Sequence, residues 1–156
     1  MEKSKINWYD GEELAIFFDK MPNVTMRYVT PFTTDEEKKE INKKPFINLS
    51  ELKVIIQDKI EQETYEFVIP KDYSWDGLTI PRFAWTLIGV SKESNSGMLA
   101  SMLHDYLTTY KDIIDNNRAL STDVFNAMLK VGKVNPVRRF FMKNSVALFQ
   151  TLFCKW

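Results

Sequence analysis

Histidine and cysteine are almost absent from this chain, which has one of each in 156 residues. Cys154 cannot form a disulfide within the chain, and no histidine or aspartate lies close to it in sequence to activate its thiol. We therefore interpret Cys154 as a core or interface thiol in a reducing compartment rather than as a nucleophile. A site that needs an imidazole has only His104 to supply it.

Net charge and long apolar segments are also lacking. The 21 Lys and Arg residues balance 21 Asp and Glu residues, so no overall basic field attracts a polyanion, and we do not expect nucleic acid as a partner. No apolar stretch of signal-peptide length follows the first lysines. The apolar segment 137–156 is too short and too charged for a membrane-spanning helix. The sequence therefore predicts neither a signal peptide nor a transmembrane helix.

Apolar residues are plentiful, since 44% of the chain is hydrophobic and eleven residues are Phe, which indicates a folded protein. Runs rich in β-branched residues predict strands at 24–29, 52–56 and 64–69, and the run 14–18 fits either a strand or a helical turn. The runs 52–56 and 64–69 flank a polar connection, which predicts an antiparallel hairpin that ends at Pro70. The charge-rich stretch 33–44 predicts a solvated loop or a short surface helix.

Helical periodicity dominates the second half of the chain. Apolar residues at spacings of three and four predict a helix from Gly97 to about Ile113. Ser121 or Thr122 is the expected cap of the next helix, which Gly132 ends, and a last helix is expected to begin at Asn135 and Pro136. The side chains expected to face inward from the first and last of these helices are Leu99, Met102, Leu103, Tyr106, Leu107, Tyr110, Phe140, Phe141, Ala147, Leu148 and Leu152.

Strands that precede helices predict an α+β fold, with N-terminal antiparallel strands and a hairpin followed by a C-terminal bundle of three to four helices. A length of 156 residues suits one domain. We divide that domain into N-terminal strands and a charged loop over 1–45, a hairpin and loop over 46–82, and a helical part over 83–156.

Two motifs carry a family resemblance over about residues 50–156. The hairpin ends in Phe67-Val68-Ile69-Pro70, then come Tyr73 and the run Asp76-Gly77-Leu78-Thr79-Ile80-Pro81-Arg82, and the next long helix holds His104-Asp105-Tyr106-Leu107. Together they resemble the phage-associated domain-of-unknown-function family 1353, although Asp72, Trp75, Thr79 and Thr108 depart from its pattern. The resemblance implies a phage or prophage origin, and hence a location in the host cytoplasm or the virion, but it supplies no activity.

A looser resemblance covers residues 101–129, which are similar to the helical pair of phospholipases A2. That resemblance implies His104 as the general base, Asp105 as a calcium ligand and Asp123 as the carboxylate that orients the imidazole. The glycine-rich calcium loop of those enzymes has no counterpart in this chain.

The residues themselves leave two interpretations open. His104 and Asp105 are about 100° apart around a helix, so they cannot face each other. Asp123 can orient His104 as a general base if the two helices pack antiparallel, and Asp105 can join Asp76 and backbone oxygens of loop 75–80 to bind Ca²⁺ or Mg²⁺. Alternatively, His104 is a core residue, and Asp105 and Thr79 hold the loop to the helix.

Other candidate site residues have two interpretations each. Arg82 suits an anionic substrate group or an ion pair with Asp76. Trp75 suits a loop anchor or a stacking surface, and Tyr106 fits the core better than a site. Segment 137–156 suits peripheral contact with a membrane or a core helix whose cations cover its outer side.

Two hypotheses of function follow. The first is a small phage-encoded hydrolase of an ester or lipid, in which His104 activates a water and a divalent metal polarises the carbonyl. The second is a non-enzymatic virion component or a protein that binds a host factor, in which the same residues are structural.

Overall fold

The computed structural model describes residues 5–75 and 95–131, together with 136, 137, 139, 140, 143 and 144. Within these residues, antiparallel strands precede two long helices, and a short helix interrupts the strands, which confirms the α+β fold. The elements in chain order are β1 (Ile6–Asp10), β2 (Leu14–Phe18), β3 (Val24–Met26), α1 (Asp35–Lys43), β4 (Phe46–Asn48), β5 (Leu52–Asp58), β6 (Glu63–Ile69), β7 (Ser74–Trp75), α2 (Asn95–Thr109), a 3₁₀ helix (Lys111–Ile114) and α3 (Arg118–Val131).

The larger sheet has four antiparallel strands in the order β1-β2-β5-β6. The predicted antiparallel β5–β6 hairpin is confirmed, with Leu52 opposite Ile69, but its strands extend further into the predicted connection, as far as the pair Asp58 and Glu63. Along β5, Val54 and Ile56 are buried and Lys53 and Gln57 are exposed, so one face of the sheet enters the core. Ile55 breaks the alternation, since it is buried on the opposite face. The run 14–18, which also fitted a helical turn, is a strand that pairs with β5.

The smaller sheet joins β3, β4 and β7. The buried Asn48 of β4 links this sheet to the end of the hairpin, because its Nδ2 donates to the carbonyls of Ile69 and Pro70 at 3.3 and 3.0 Å. The strand predicted over 24–29 ends at Met26. There the amide of Arg27 donates to the carbonyl of Pro45 at 2.6 Å and closes the base of an arm that contains α1.

Helix α1 forms from the charge-rich stretch 33–44 and has no buried residue, which confirms the surface-helix alternative. Thr34 caps it, since its hydroxyl accepts the amide of Glu37 at 3.2 Å. Three carboxylates in the first turn and Lys43 in the last turn complement the helix dipole.

Helices α2 and α3 pack on the buried face of the sheet and complete a core that includes Ile16, Ile56, Leu103 and Phe125. Two details of the prediction were wrong. Tyr110 is 47% exposed, because α2 ends at Thr109 and a 3₁₀ turn follows. Helix α3 begins at Arg118 rather than after Ser121 or Thr122, because the Asn117 side chain accepts the amide of Leu120 at 3.0 Å.

The last predicted helix is described at only a few positions. Residues 136, 137, 139, 140, 143 and 144 are helical, in agreement with a helix that begins near Pro136. Phe140 is 64% exposed, so the prediction that it faces inward was wrong. Phe141, Ala147, Leu148 and Leu152 lie outside the described residues.

Candidate functional site

His104 lies in the middle of α2, where it is 4% exposed. Its ring meets the ring of Phe125 of α3 edge-on, with 5.5 Å between the centroids. Burial lowers the pKa of His104 from 6.5 to about 4, because a low-dielectric surrounding penalises the charged imidazolium. His104 is therefore neutral at pH 7.

Asp105, the next residue, is half-buried and turns toward the segment that follows the hairpin. The Tyr73 hydroxyl donates to Asp105 Oδ2. Burial raises the pKa of Tyr73, and the negative charge of Asp105 raises it further. The tyrosine thus keeps its proton and remains a donor to the carboxylate.

Tyr106 and Trp75 make two further links between α2 and the strands. The Tyr106 hydroxyl donates to the carbonyl of Val68 in β6 at 2.9 Å, and its ring stacks on Phe67 with 5.6 Å between the centroids. The fully buried Trp75 donates from Nε1 to Ser101 Oγ of α2 at 2.9 Å. Polar contacts from Ser101, Asp105 and Tyr106 therefore join α2 to residues 68–75.

Asp123 lies on the solvent side of α3, where its side chain is 53% exposed and its Oδ1 is 3.4 Å from Nζ of Lys143. It precedes Phe125 by two positions, which is about 200° around the helix axis. The face of α3 that contacts His104 through Phe125 is therefore not the face that carries Asp123. The structure brings Asp105 and Tyr106 to residues 68–75 but does not bring Asp123 to His104 on that face.

Asp76, Thr79 and Arg82 lie outside the described residues, so the predicted contacts of Asp76 with Asp105 and of Arg82 with Asp76 are not described. Among the residues that are described, no three or more His, Cys, Asp or Glu side chains form a group suited to a metal ion. The predicted Ca²⁺ or Mg²⁺ site therefore stays a prediction that depends on the 76–82 loop.

Sequence reasoning missed Tyr73 as the partner of Asp105. The two residues are 32 positions apart, and no local spacing connects them. Only its place in the sequence could have indicated Tyr73, because it lies between Pro70 and Asp76 in the motif that resembles the family pattern. Paired motifs of this kind indicate contact between their segments, but not which atoms meet.

Sequence reasoning also missed a cavity of about 680 Å³ that has an open side. Its described lining comes from the β1–β2 turn, the β5–β6 turn, α3 and Lys143. Asp123 is part of this lining, whereas His104 and Asp105 are not. The segments that line the cavity are far apart in sequence, so no sequence motif predicts it.

Comparison with family models gives a match. The family described as "Protein of unknown function (DUF1353)" matches residues 52–146. No curated protein and no solved structure matches the chain. In the part of the chain that the structure describes, every helix is too short or too polar to span a bilayer. Because the matched region covers more than half of the 156 residues and contains both motifs, the chain belongs to the DUF1353 family of proteins of unknown function.

Proposed function

We propose that this protein works by binding another protein, as a component of a phage particle or as a binder of a host factor, and that its motif residues are structural. The observation that carries the structural role of the motif residues is the set of three contacts from α2. The polar atoms of Asp105, Tyr106 and Ser101 are engaged by Tyr73, Val68 and Trp75. These contacts hold the helix against the end of the hairpin, which is a structural role.

The surroundings of His104 support the same proposal. A catalytic imidazole has to reach substrate, whereas this one is 4% exposed and packs against Phe125. A neutral imidazole inside a helix interface contributes packing and hydrogen bonding without a charge. The resemblance to a phage-associated family is the reason for proposing that the protein acts in a phage particle or on a host factor.

The test uses a phage or prophage that carries this gene, with the gene replaced by the His104→Gln or the Asp105→Asn form. Glutamine keeps a polar side chain but cannot act as a base, and asparagine keeps an acceptor for Tyr73. We expect each variant that folds to support plaque formation at the wild-type level, with a lowered unfolding midpoint. Loss of plaques with a folded, stable His104→Gln protein would contradict a purely structural role.

A second candidate is a hydrolase of an ester or lipid with His104 as the base. The observation that allows it is that the His104 imidazole is unprotonated at neutral pH, because burial lowers its pKa to about 4, although this low pKa also makes it a weaker base than an exposed histidine. Asp105 and Asp76 would hold Ca²⁺ or Mg²⁺, with Arg82 and Thr79 near the substrate. A lipid substrate would meet segment 137–156.

The metal-assisted form of this candidate predicts that Ca²⁺ or Mg²⁺ raises the melting temperature and that Asp105→Asn abolishes the rise. The matched control is Asp112→Asn, because Asp112 is an exposed carboxylate in the 3₁₀ helix near α2. A melting temperature that neither cation changes would exclude the metal-assisted form.

A further inference from the structure

We propose that the cavity between the two hairpin turns and α3 binds a basic, arginine- or lysine-rich segment of a partner protein. This inference rests on the proposed binding function and names the surface and the chemistry of the partner. The cavity measures about 680 Å³, which lies within the range of about 300–1,000 Å³ typical of ligand sites. We call it the hairpin–helix cleft.

Carboxylates outnumber ammonium groups in the described lining of the cleft. The two lysines are Lys130 and Lys143. The carboxylates are Glu12, Glu13, Asp58, Glu61 and Asp123. Because the whole chain has a net charge of zero, the cleft concentrates negative charge that the rest of the surface balances. A positive partner is attracted to such a concave surface more strongly than to the protein as a whole.

Both lysines already have neighbours inside the cleft. Nζ of Lys143 lies 3.4 Å from Oδ1 of Asp123, and Nζ of Lys130 lies 6.0 Å from the centre of the Tyr9 ring. Glu12, Glu13 and Glu61 are exposed and form no ion pair with another described residue. These three glutamates are therefore available to cations from outside the chain.

The two turns are tied together, so the backbone that carries the three glutamates is held in place before any partner arrives. Nζ of Lys59 donates to Oδ1 of Asp10 at 2.5 Å and to the carbonyl of Gly11 at 2.7 Å, and the Lys59 amide donates to the carbonyl of Glu13 at 3.0 Å. Oδ1 of Asp58 accepts the amides of Ile60 and Glu61. Such a preorganised surface loses less conformational entropy on binding than a flexible one.

The chemistry of the walls favours a peptide over a small inorganic cation. No group of three or more metal-ligating side chains occurs in the described part of the chain, so the carboxylates are too dispersed for a coordination site. Ile60, which is 64% exposed, adds apolar surface, and the Tyr9 ring adds an aromatic face. Arginine and lysine bury their methylene stems on such surface while their charged ends reach carboxylates.

The probe for the test is a fluorescein-labelled hexa-arginine peptide, followed by fluorescence anisotropy with the full chain. The test variant is Glu12→Gln, Glu13→Gln, Glu61→Gln combined. The matched control is Asp35→Asn, Glu36→Gln, Glu37→Gln combined, which removes the same charge from the exposed first turn of α1. We expect the cleft variant to weaken binding by about tenfold or more and the α1 variant by less than about twofold.

Three results would overturn the proposal. The first is that the folded wild-type protein does not bind the peptide. The second is that the two variants weaken binding equally. The third is that Mg²⁺ displaces the labelled peptide as effectively as unlabelled hexa-arginine does at the same concentration of positive charge. The His104→Gln protein is measured in parallel, and we expect it to bind like wild type. If the peptide fails to bind, the proposal for the cleft is wrong. The proposed function is still tested separately, by plaque formation with the His104→Gln protein.

Discussion

Protonation of His104 is costly because the imidazole is buried between α2 and α3. The folded protein has a pKa of about 4 at this residue, whereas the unfolded chain has a pKa near 6.5, so the unfolded state binds the proton first. The stability contribution is therefore complete above pH 6.5 and is lost as pH falls toward 4, by about 3 kcal/mol in all. The chain has one histidine, so a single imidazole signal in an NMR titration reports the folded pKa.

The His104→Gln protein is the control for this prediction, because carboxylates also titrate in the acid range. The free energy of unfolding of wild type, measured in urea at several pH values, should fall more steeply between pH 6.5 and 4 than that of the variant. A folded-state midpoint near 6.5 would contradict the burial argument.

The Tyr73 hydroxyl donates a hydrogen bond to Asp105 and so links the turn before β7 to α2. Tyr73→Phe removes this donor from a half-buried carboxylate, and we expect the free energy of unfolding to fall by about 1–3 kcal/mol. The control is Tyr65→Phe, since Tyr65 lies on β6 with no hydrogen bond from its hydroxyl among the described residues. Urea unfolding of the two variants compares them directly, and equal losses would show that the Asp105 contact contributes nothing specific.

At the level of single residues, the sequence could predict which positions carry polar chemistry but not how they pair. The motif at His104 and Asp105 was visible, and so was the one around Trp75. The proposed pairing of His104 with Asp123 assumed antiparallel packing of the two helices but no particular rotation of either helix about its axis. Rotation of α3 about its axis decides that pairing, and the buried side chains of Val124 and Phe125 set the rotation, which turns Asp123 to solvent.

Helix α1 shows how an element can be stable locally without contributing to the core. None of its residues is buried, so its cap and charges determine its order rather than packing. Thr34→Ala removes the cap, and we expect about 1 kcal/mol less protection of the α1 amides in hydrogen exchange. Global stability should change by less than about 0.5 kcal/mol, and an equally large global loss would mean that α1 supports the sheet.

Element boundaries were predictable where side-chain periodicity was strong. The β-branched runs 52–56 and 64–69 predicted the hairpin, and the observed strands β5 and β6 extend these runs by two residues and by one residue. Strands β4 and β7 are too short to show a period, since they have three and two residues. The start of α3 was missed because Ser121 and Thr122 were taken as the caps, whereas Asn117, which was assigned to the polar link before the helix, is the residue whose side chain accepts an amide.

For the molecule as a whole, stability depends on the core between the larger sheet and the helices. Ile56 of β5 is fully buried and Ile60 in the following turn is 64% exposed, so the same substitution can be compared in two environments. We expect Ile56→Ala to cost about 2–5 kcal/mol and Ile60→Ala less than about 1 kcal/mol. Denaturant unfolding measures both, and similar losses would mean that the sheet is not the centre of the core.

The closed base of the α1 arm has a consequence for the variability of this protein. The backbone departs at Met26 and returns at Phe46, which are paired residues of neighbouring strands, and the bond from Arg27 to Pro45 joins the two sides. A segment attached in this way can lengthen, shorten or accept a foreign domain without displacing the body, because its two ends stay adjacent. The family match begins at residue 52, after this junction, so we expect an insertion in the α1 arm to leave the matched region folded.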